Sequence, residues 1–320
     1  MPTLSNIGPV LITGAGGFIG AHAVRDLAEA GAEVVATTRD GRRGTRVLDV
    51  CDADRLPAAL AGVGAVVHCA VGGREVTVDG TARLLRAAAA AGVRRVVHLS
   101  SMSVYGGATG RVAETTPTVS PEANDYGGWK AAAEAACLAE AGAPSIRLRP
   151  TIVYGPGVDG AAGGYWLDSM VRRVASGRWA TLGAAGEGTC NLVHVGDVTG
   201  AIAAALLAPA AADGAVFNVN GPETTTWNGY FIALAAAMGA PKLPARSAAG
   251  LQALMLAALP IKILARLRPG LAQGWLSGVP GRGELGLFAL QATYLTDAAR
   301  AALGWSPQTH IVDGLARSLA

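Results

Sequence analysis

Lysine is nearly missing from this chain. Of its 26 basic residues only Lys130, Lys242 and Lys262 are lysines; the rest are arginines. Charge is scarce altogether, at 15% of residues against 51% hydrophobic, so a globular fold is expected rather than disorder. A net charge of +3, with no arginine cluster alternating with aromatics, gives no footing for a nucleic-acid partner. Cysteine is sparse too. Cys51, Cys69, Cys137 and Cys190 lie far apart and form no CxxC pair, which argues against a zinc site or a redox motif and for free thiols in a reducing cytosol. No basic n-region precedes the first apolar run, so the expectation is a cytoplasmic protein without a signal peptide. No apolar run reaches the roughly 20 residues of a spanning helix. The longest, "SAAGLQALMLAALPI" (Ser247–Ile261), is 15 residues without a charge, bounded by Arg246 and Lys262 and interrupted by Pro260. It reads as a buried or interface helix, not a membrane span.

What is present is alternation. Short apolar runs at Pro9–Gly14, Glu33–Thr38, Ala65–Ala70, Arg94–Ser101 and Ser145–Pro150 read as strands. Helical stretches fall between them at Phe18–Ala30, Val76–Ala91 and Tyr126–Ala141. Continuous rather than alternating apolar strands suit a parallel sheet covered on both faces. The fold class is therefore α/β, a doubly wound parallel sheet of Rossmann type with a smaller, mostly helical C-terminal substrate lobe. The boundary is placed at residue 165, giving 1–165 and 166–320, interleaved: late strands near 191–220 (Asn191–Val195 and Ala215–Gly221) are expected to return to the first part. Helices are expected at Tyr165–Ser176 and Asp197–Leu207, and no repeat at a period of 20 to 50 residues is visible.

"TGAGGFIG" follows the first strand and opens the first helix. Gly14 would make the tight turn, Gly17 would let backbone N–H groups approach a pyrophosphate, and Gly20 would let helix and strand pack closely. Strand before and helix after is the context that a dinucleotide loop requires. The spacing is not GxGxxG, because Ile19 stands where its third glycine would fall. At the end of the second strand a carboxylate would select NAD and an arginine NADP. "ATTRDGRRG" offers Thr38, then Arg39, with Arg42 and Arg43 close by, and so favours NADP; Asp40 keeps NAD open. Asp49, followed by Val50, is a candidate acceptor for an adenine amino group. Phe18, Ile19, Cys69 and Ala70 complete the expected cofactor-binding set.

"DYGGWK" poses a separate question: why should a helix begin with a tyrosine, two glycines and one of three lysines? Residues four apart share a helix face, so Tyr126 and Lys130 project together. A phenol is a poor base at neutral pH, and a neighbouring ammonium is expected to lower its pKa. The pair could then exchange a proton with a substrate hydroxyl while hydride moves to or from a nicotinamide. Gly127 and Gly128 would admit cofactor or substrate close to the helix, or allow tight helix packing; both readings stay open.

These landmarks, with "LDV", "VDGTARLLRAAAAAGVRRVVHLSS", "SVYG", "RPTIVYGPG", "NLVHVGDV" and "FNVNGPE", make the chain similar over nearly its whole length to the extended short-chain dehydrogenases/reductases of the NAD-dependent epimerase/dehydratase type. The resemblance implies a catalytic set of Ser101, Tyr126 and Lys130, with Ser100 and Ser103 as competitors of Ser101. It also implies that Tyr126 and Lys130 touch the cofactor, that Tyr105 and Gly106 shape a turn, and that His194 is structural. Two departures bear on the substrate. Thr77 stands where the family usually has asparagine. Cys190 and Asn191 stand where nucleotide-sugar members tend to carry an arginine for the diphosphate. The resulting expectation is an NAD(P)-dependent oxidoreductase with reversible hydride transfer at a C–OH/C=O centre of a small molecule, Tyr126 as acid/base, no metal, and a homodimeric state. The alternatives are a sugar or nucleotide-sugar epimerase/dehydratase with tightly bound NAD, and a non-catalytic dinucleotide sensor that would have lost the Tyr/Lys pair.

Overall fold

A computed structural model describes residues 3–139, 144–158, 163–267 and 276–319. Seven strands form one wholly parallel sheet: β1 (Val10–Thr13), β2 (Val34–Thr38), β3 (Arg46–Val47), β4 (Ala65–His68), β5 (Arg95–Leu99), β6 (Ser145–Pro150) and β7 (Val216–Val219). Their spatial order is β7-β6-β5-β4-β1-β2-β3. The strand order reverses between β1 and β4, and ligands of such sheets bind in the crevice beyond the carboxyl ends at that point. The central strands are buried at every position, including Arg95 and His98 of β5 and Arg147 and Arg149 of β6, as a sheet covered on both faces requires.

The helices divide between the two faces. α1 (Phe18–Glu29) and α6 (Val195–Leu207) cover one, meeting Ile12, Val67, Val97 and Leu148. α2 (Leu56–Leu60), α3 (Gly80–Ala90) and α4 (Tyr126–Ala139) cover the other, meeting Leu11, Val66 and Val96. The remaining helices are α5 (Tyr165–Ala175), α7 (Trp227–Ala237), α8 (Ala248–Leu267), α9 (Arg282–Ala289), α10 (Asp297–Leu303) and α11 (Ile311–Leu319). α5, α7, α9 and α11 contribute to a second core built on Tyr154, Trp179, Trp227, Phe231 and Phe288. Its rings meet mostly edge to face or tilted, as the aromatic quadrupole favours.

Two expectations are corrected. Of the late strands only Val216–Val219 joins the main sheet; Leu192–His194 pairs in parallel with Ile152–Tyr154 as a separate ribbon. The helix expected from Val76 begins as a π-helical turn, Glu75–Asp79, before α3. The last two residues of the expected Tyr126–Ala141 helix lie outside the described residues, as do residues 159–162 of the glycine-rich loop after β6. A further ribbon, Gly110–Val112 with Ala292–Tyr294, ties the segment after β5 to the chain beyond α9 around a small cluster of Val104, Tyr105, Val112 and Tyr294.

Candidate active site

The glycine loop closes over a cleft of about 430 Å3 at the reversal point. Gly14 is left-handed at φ +66°, and a Cβ there would stand 2.7 Å from Ala70 N and 2.8 Å from Cys69 O. A Cβ on Gly20 would stand 2.2 Å from Gly14 O. The turn, β4 and α1 therefore meet at distances that only glycine permits. Gly17 caps α1 without a side chain, leaving the first-turn N–H groups available to an anion. This cradle fits the pyrophosphate of a dinucleotide. Gly14, Gly17, Arg39, Asp49, Val50, Cys69 and Ala70 line the cleft as expected, joined by Thr13, Gly16, Thr38, Arg42, Leu48, Val71–Gly73 and Val76. Phe18, Ile19, Gly20, Tyr126 and Lys130 do not line it. Phe18 turns to the Gly155 and Gly164 backbone, Ile19 packs on the sheet core, and Gly20 serves the helix–turn contact. "VGG" after β4 is the sequence signal that could have found Val71–Gly73.

At the adenosine end, two arginines lock the β2–β3 loop onto the glycine loop. The Arg42 stem lies where a Gly16 Cβ would meet it at 3.1 Å, and Arg43, left-handed at φ +56°, donates to Gly16 O at 3.2 Å. Asp40 is already engaged: Arg42 Nε donates to its two carboxylate oxygens at 2.9 and 3.0 Å. That partnership holds the Asp40 carboxyl down at about 2. Arg39 lines the cleft with no hydrogen-bond or ion-pair partner among the described residues. Asp49 accepts from Cys51 N at 2.9 Å through one oxygen only.

At the carboxyl end of β5 the structure brings Ser101, Tyr126 and Lys130 together. Ser101 opens a 3-10 turn, Met102–Tyr105, and its hydroxyl accepts from Ser103 N at 3.2 Å. The two glycines of α4 press against carbonyls. A Cβ on Gly127 would stand 2.7 Å from Ser103 O, and one on Gly128 2.1 Å from Ala123 O. Between the two readings left open above, close packing is what the geometry supplies. The helix starts on Asp125, whose Oδ1 accepts from Gly128 N at 2.8 Å.

Lys130 is 3% exposed; its Nζ donates to Leu99 O at 2.6 Å and stands 6.0 Å from the Tyr126 ring centre. Burial pulls the ammonium down to about 8. The expected lowering of the Tyr126 phenol by Lys130 is not what results. Partial burial raises the phenol above its usual value, and the hydrogen bond with the Ser101 hydroxyl opposes that rise.

A polar layer under α4 fixes these groups. Glu134, one turn beyond Lys130, takes two hydrogen bonds from Arg149 at 2.8 and 2.5 Å and one from Ser100 Oγ at 2.5 Å. Ser100 is thereby turned away from Ser101's side of the strand. Arg149 also donates to the Tyr105 hydroxyl at 2.6 Å, which donates to Asn218 at 2.7 Å. This explains why Tyr105 is buried in the turn. A second hydrogen-bonded series runs across the carboxyl ends of the central strands β1 and β4. Thr81 gives its proton to Thr77 O at 2.6 Å, so His68 Nε2–H donates to Thr81 Oγ at 2.9 Å. His68 Nδ1 then accepts from Thr13 Oγ at 2.7 Å, and Thr13 Oγ accepts from Ala70 N at 3.3 Å. The neutral tautomer so fixed agrees with burial holding His68 down at about 3. Thr77 Oγ donates to Gly72 O at 3.0 Å, so this departure shapes the cleft wall. Cys190 and Asn191 are buried, and Asn191 is held by Ala292 O and Asn220. His194 caps Gly196 N and stacks edge-on to Tyr154, a structural role.

The model of the NAD dependent epimerase/dehydratase family matches residues 10–220. The UDP-glucose 4-epimerase of Vibrio cholerae is 29% identical over 242 residues, covering 68% of this chain and 72% of that protein. The 2-alkyl-3-oxoalkanoate reductase of Stenotrophomonas maltophilia is 28% identical over 339 aligned positions, covering 96% and 97%. The dTDP-glucose 4,6-dehydratase of Streptomyces venezuelae, solved with NAD bound, superposes with a TM-score of 0.72 at 25% identity over 97% of this chain and 95% of that one.

Proposed function

The chain belongs to the NAD dependent epimerase/dehydratase family of extended short-chain dehydrogenases/reductases, and from that premise we propose a net, NADP-preferring reductase or dehydrogenase with Ser101, Tyr126 and Lys130 as its catalytic set. The broader activity follows from the family and its relatives: an NAD(P)-dependent enzyme acting at a C–OH/C=O centre of a small molecule. The convergence of the serine, tyrosine and lysine at the end of β5, in a chain whose glycine loop closes over a cleft at the strand-order reversal, supports the reading.

When bound in the cleft, the nicotinamide supplies or accepts the hydride. Tyr126 Oη exchanges a proton with the substrate oxygen, and Ser101 Oγ holds that oxygen and stabilises charge on it. Lys130, mostly protonated at pH 7, sets a fixed positive charge below the phenol. The Ser101 hydrogen bond is what favours the phenolate as the proton leaves. Leu99 O keeps the ammonium in place.

NADP is favoured because Asp40, the nearest carboxylate to the end of β2, is neutralised by Arg42, while Arg39 faces the cleft unpaired among the described residues. A guanidinium on a 2′-phosphate contributes about 1 to 3 kcal/mol, and little on a 2′-OH. Net redox is favoured over nucleotide-sugar epimerisation because Cys190 and Asn191 are turned inward and present no cation to a diphosphate. The Vibrio relative supports the epimerase as the second reading. Titration of wild type and Arg39→Ala with NADP and NAD at one fixed salt concentration, with NADPH consumption followed against substrate, tests the proposal. Tighter NADP binding that Arg39→Ala erases, and stoichiometric NADPH loss, are expected. Equal or tighter NAD binding by wild type overturns the cofactor preference, and turnover without net NADPH loss overturns the reductase reading.

A further inference from the structure

Hydride transfer leaves α8 unexplained. Its inward stripe is unremarkable: Leu251 and Ala258 are buried, and Leu254 and Met255 lie half-buried between them, at the spacing of one helix face. Its outward face differs from that of a solvated helix, which normally carries charge. Leu256 is 67% and Leu259 46% exposed, among exposed alanines, Gln252 and Pro260, and no charged residue occurs from Ser247 to Ile261. The charge stands at the flanks and is all of one sign. The 60 residues from Thr224 to Gly283 contain six of the chain's 26 basic residues and none of its 23 acidic ones. Lys242 and Arg246 precede the helix; Lys262 and Arg266 lie in its last two turns.

We propose that α8 is a docking surface for an anionic lipid bilayer. The helix lies along the interface, with Leu256 and Leu259 among the acyl chains and the basic segment that precedes it, Lys242 and Arg246, against headgroup phosphates. Among the described residues no helix is long and apolar enough to cross a membrane, so the mode is to lie on the surface. A second copy of the chain would bring the same acid-free basic frame and repel the first, whereas an anionic surface complements it.

The test is co-sedimentation of the full chain with vesicles of phosphatidylcholine alone and of an equal mixture of phosphatidylcholine and phosphatidylglycerol, at low and high salt. The variants are the exposed-face pair Leu256→Asp/Leu259→Asp, and Lys242→Glu. Both leucines are solvent-exposed and outside the candidate active site, so fold and turnover of a water-soluble substrate should be unchanged. Wild type should sediment with the mixed vesicles, at least roughly tenfold more weakly for the leucine pair and in high salt. Lys242→Glu should weaken it several-fold. Failure of wild type to bind the mixed vesicles, equal binding to phosphatidylcholine alone, or undiminished binding of the leucine pair overturns the proposal. So does a solution dimer that the leucine pair dissolves, because it would give this face to a second copy.

Discussion

Gly127→Ala puts the geometry of α4 to a stringent test. In an open helix, replacing glycine by alanine stabilises by about 0.5 to 1 kcal/mol, because alanine loses less backbone freedom on folding. At Gly127 the added Cβ would be 2.7 Å from Ser103 O, inside the 3.0 Å that real Cβ contacts respect. Neither partner can yield freely. Ser103 belongs to the turn that Ser101 opens, and α4 is anchored by Asp125, by Lys130 on Leu99 O and by Glu134 on Arg149. The first turn must move by several tenths of an ångström, and Tyr126 moves with it. Misplacement by about 1 Å can cost 10²-fold in rate, so a loss of roughly tenfold in kcat is expected, with the propensity gain largely cancelled. Gly286→Ala in α9 is the control, since nothing lies within 4 Å of its Cβ. It should gain most of the about 1 kcal/mol and leave turnover alone. Urea unfolding and steady-state kinetics on both variants provide the comparison. If Gly127→Ala gains as much stability as Gly286→Ala and keeps full turnover, the contact does not set the tyrosine's place.

Three serines should separate by role. Ser101→Ala should lower turnover most. Ser100→Ala should instead cost roughly 1.5 to 3 kcal/mol of stability, because Glu134 loses a buried donor. A Ser103→Ala variant slower than Ser101→Ala would place the reacting hydroxyl two residues later. His98 gives a pH test. It is 1% exposed, both its ring nitrogens lack hydrogen-bond partners among the described residues, and burial holds its pKa well below 6.5. Below pH 6.5 the unfolded chain takes up a proton that the folded site refuses, so stability falls by up to about 1.4 kcal/mol per pH unit. His98→Leu should be relatively more stable at pH 5 than at pH 7 by up to about 2 kcal/mol. A wild-type-to-variant difference that is the same at both pH values would show that His98 is not held neutral.

The main sheet was legible because short, largely apolar runs alternate with helical stretches and the loop before α1 carries its glycines at turn, approach and packing positions. Helix periodicity was enough to put Tyr126 and Lys130 on one face, whereas Ser101 was named by the family resemblance and not by any local pattern. What escaped depends on distant partners. Asn191–Val195 has the apolar character of a sheet strand, yet Leu192–His194 pairs with Ile152–Tyr154, a choice no local pattern encodes. The reason for Gly127 lies in the Ser103 carbonyl, 24 residues away in sequence. The Glu134–Arg149 pair joins a helix to a strand, and the direction of the Tyr126 shift depends on how deeply Lys130 sinks toward Leu99 O rather than toward the phenol. Burial and long-range pairing decide these features, and spacing alone does not carry them.

The central claim is that Tyr126 moves the proton that accompanies hydride transfer. The most direct measurement pairs cofactor binding with turnover in Tyr126→Phe. Removing one hydroxyl leaves the ring against α4 and the cleft untouched, so the dissociation constant for NADPH should stay within about twofold of wild type. kcat should fall by at least about 10²-fold, the scale of general acid–base catalysis. Near-normal kcat in Tyr126→Phe, with cofactor binding intact, would contradict the account.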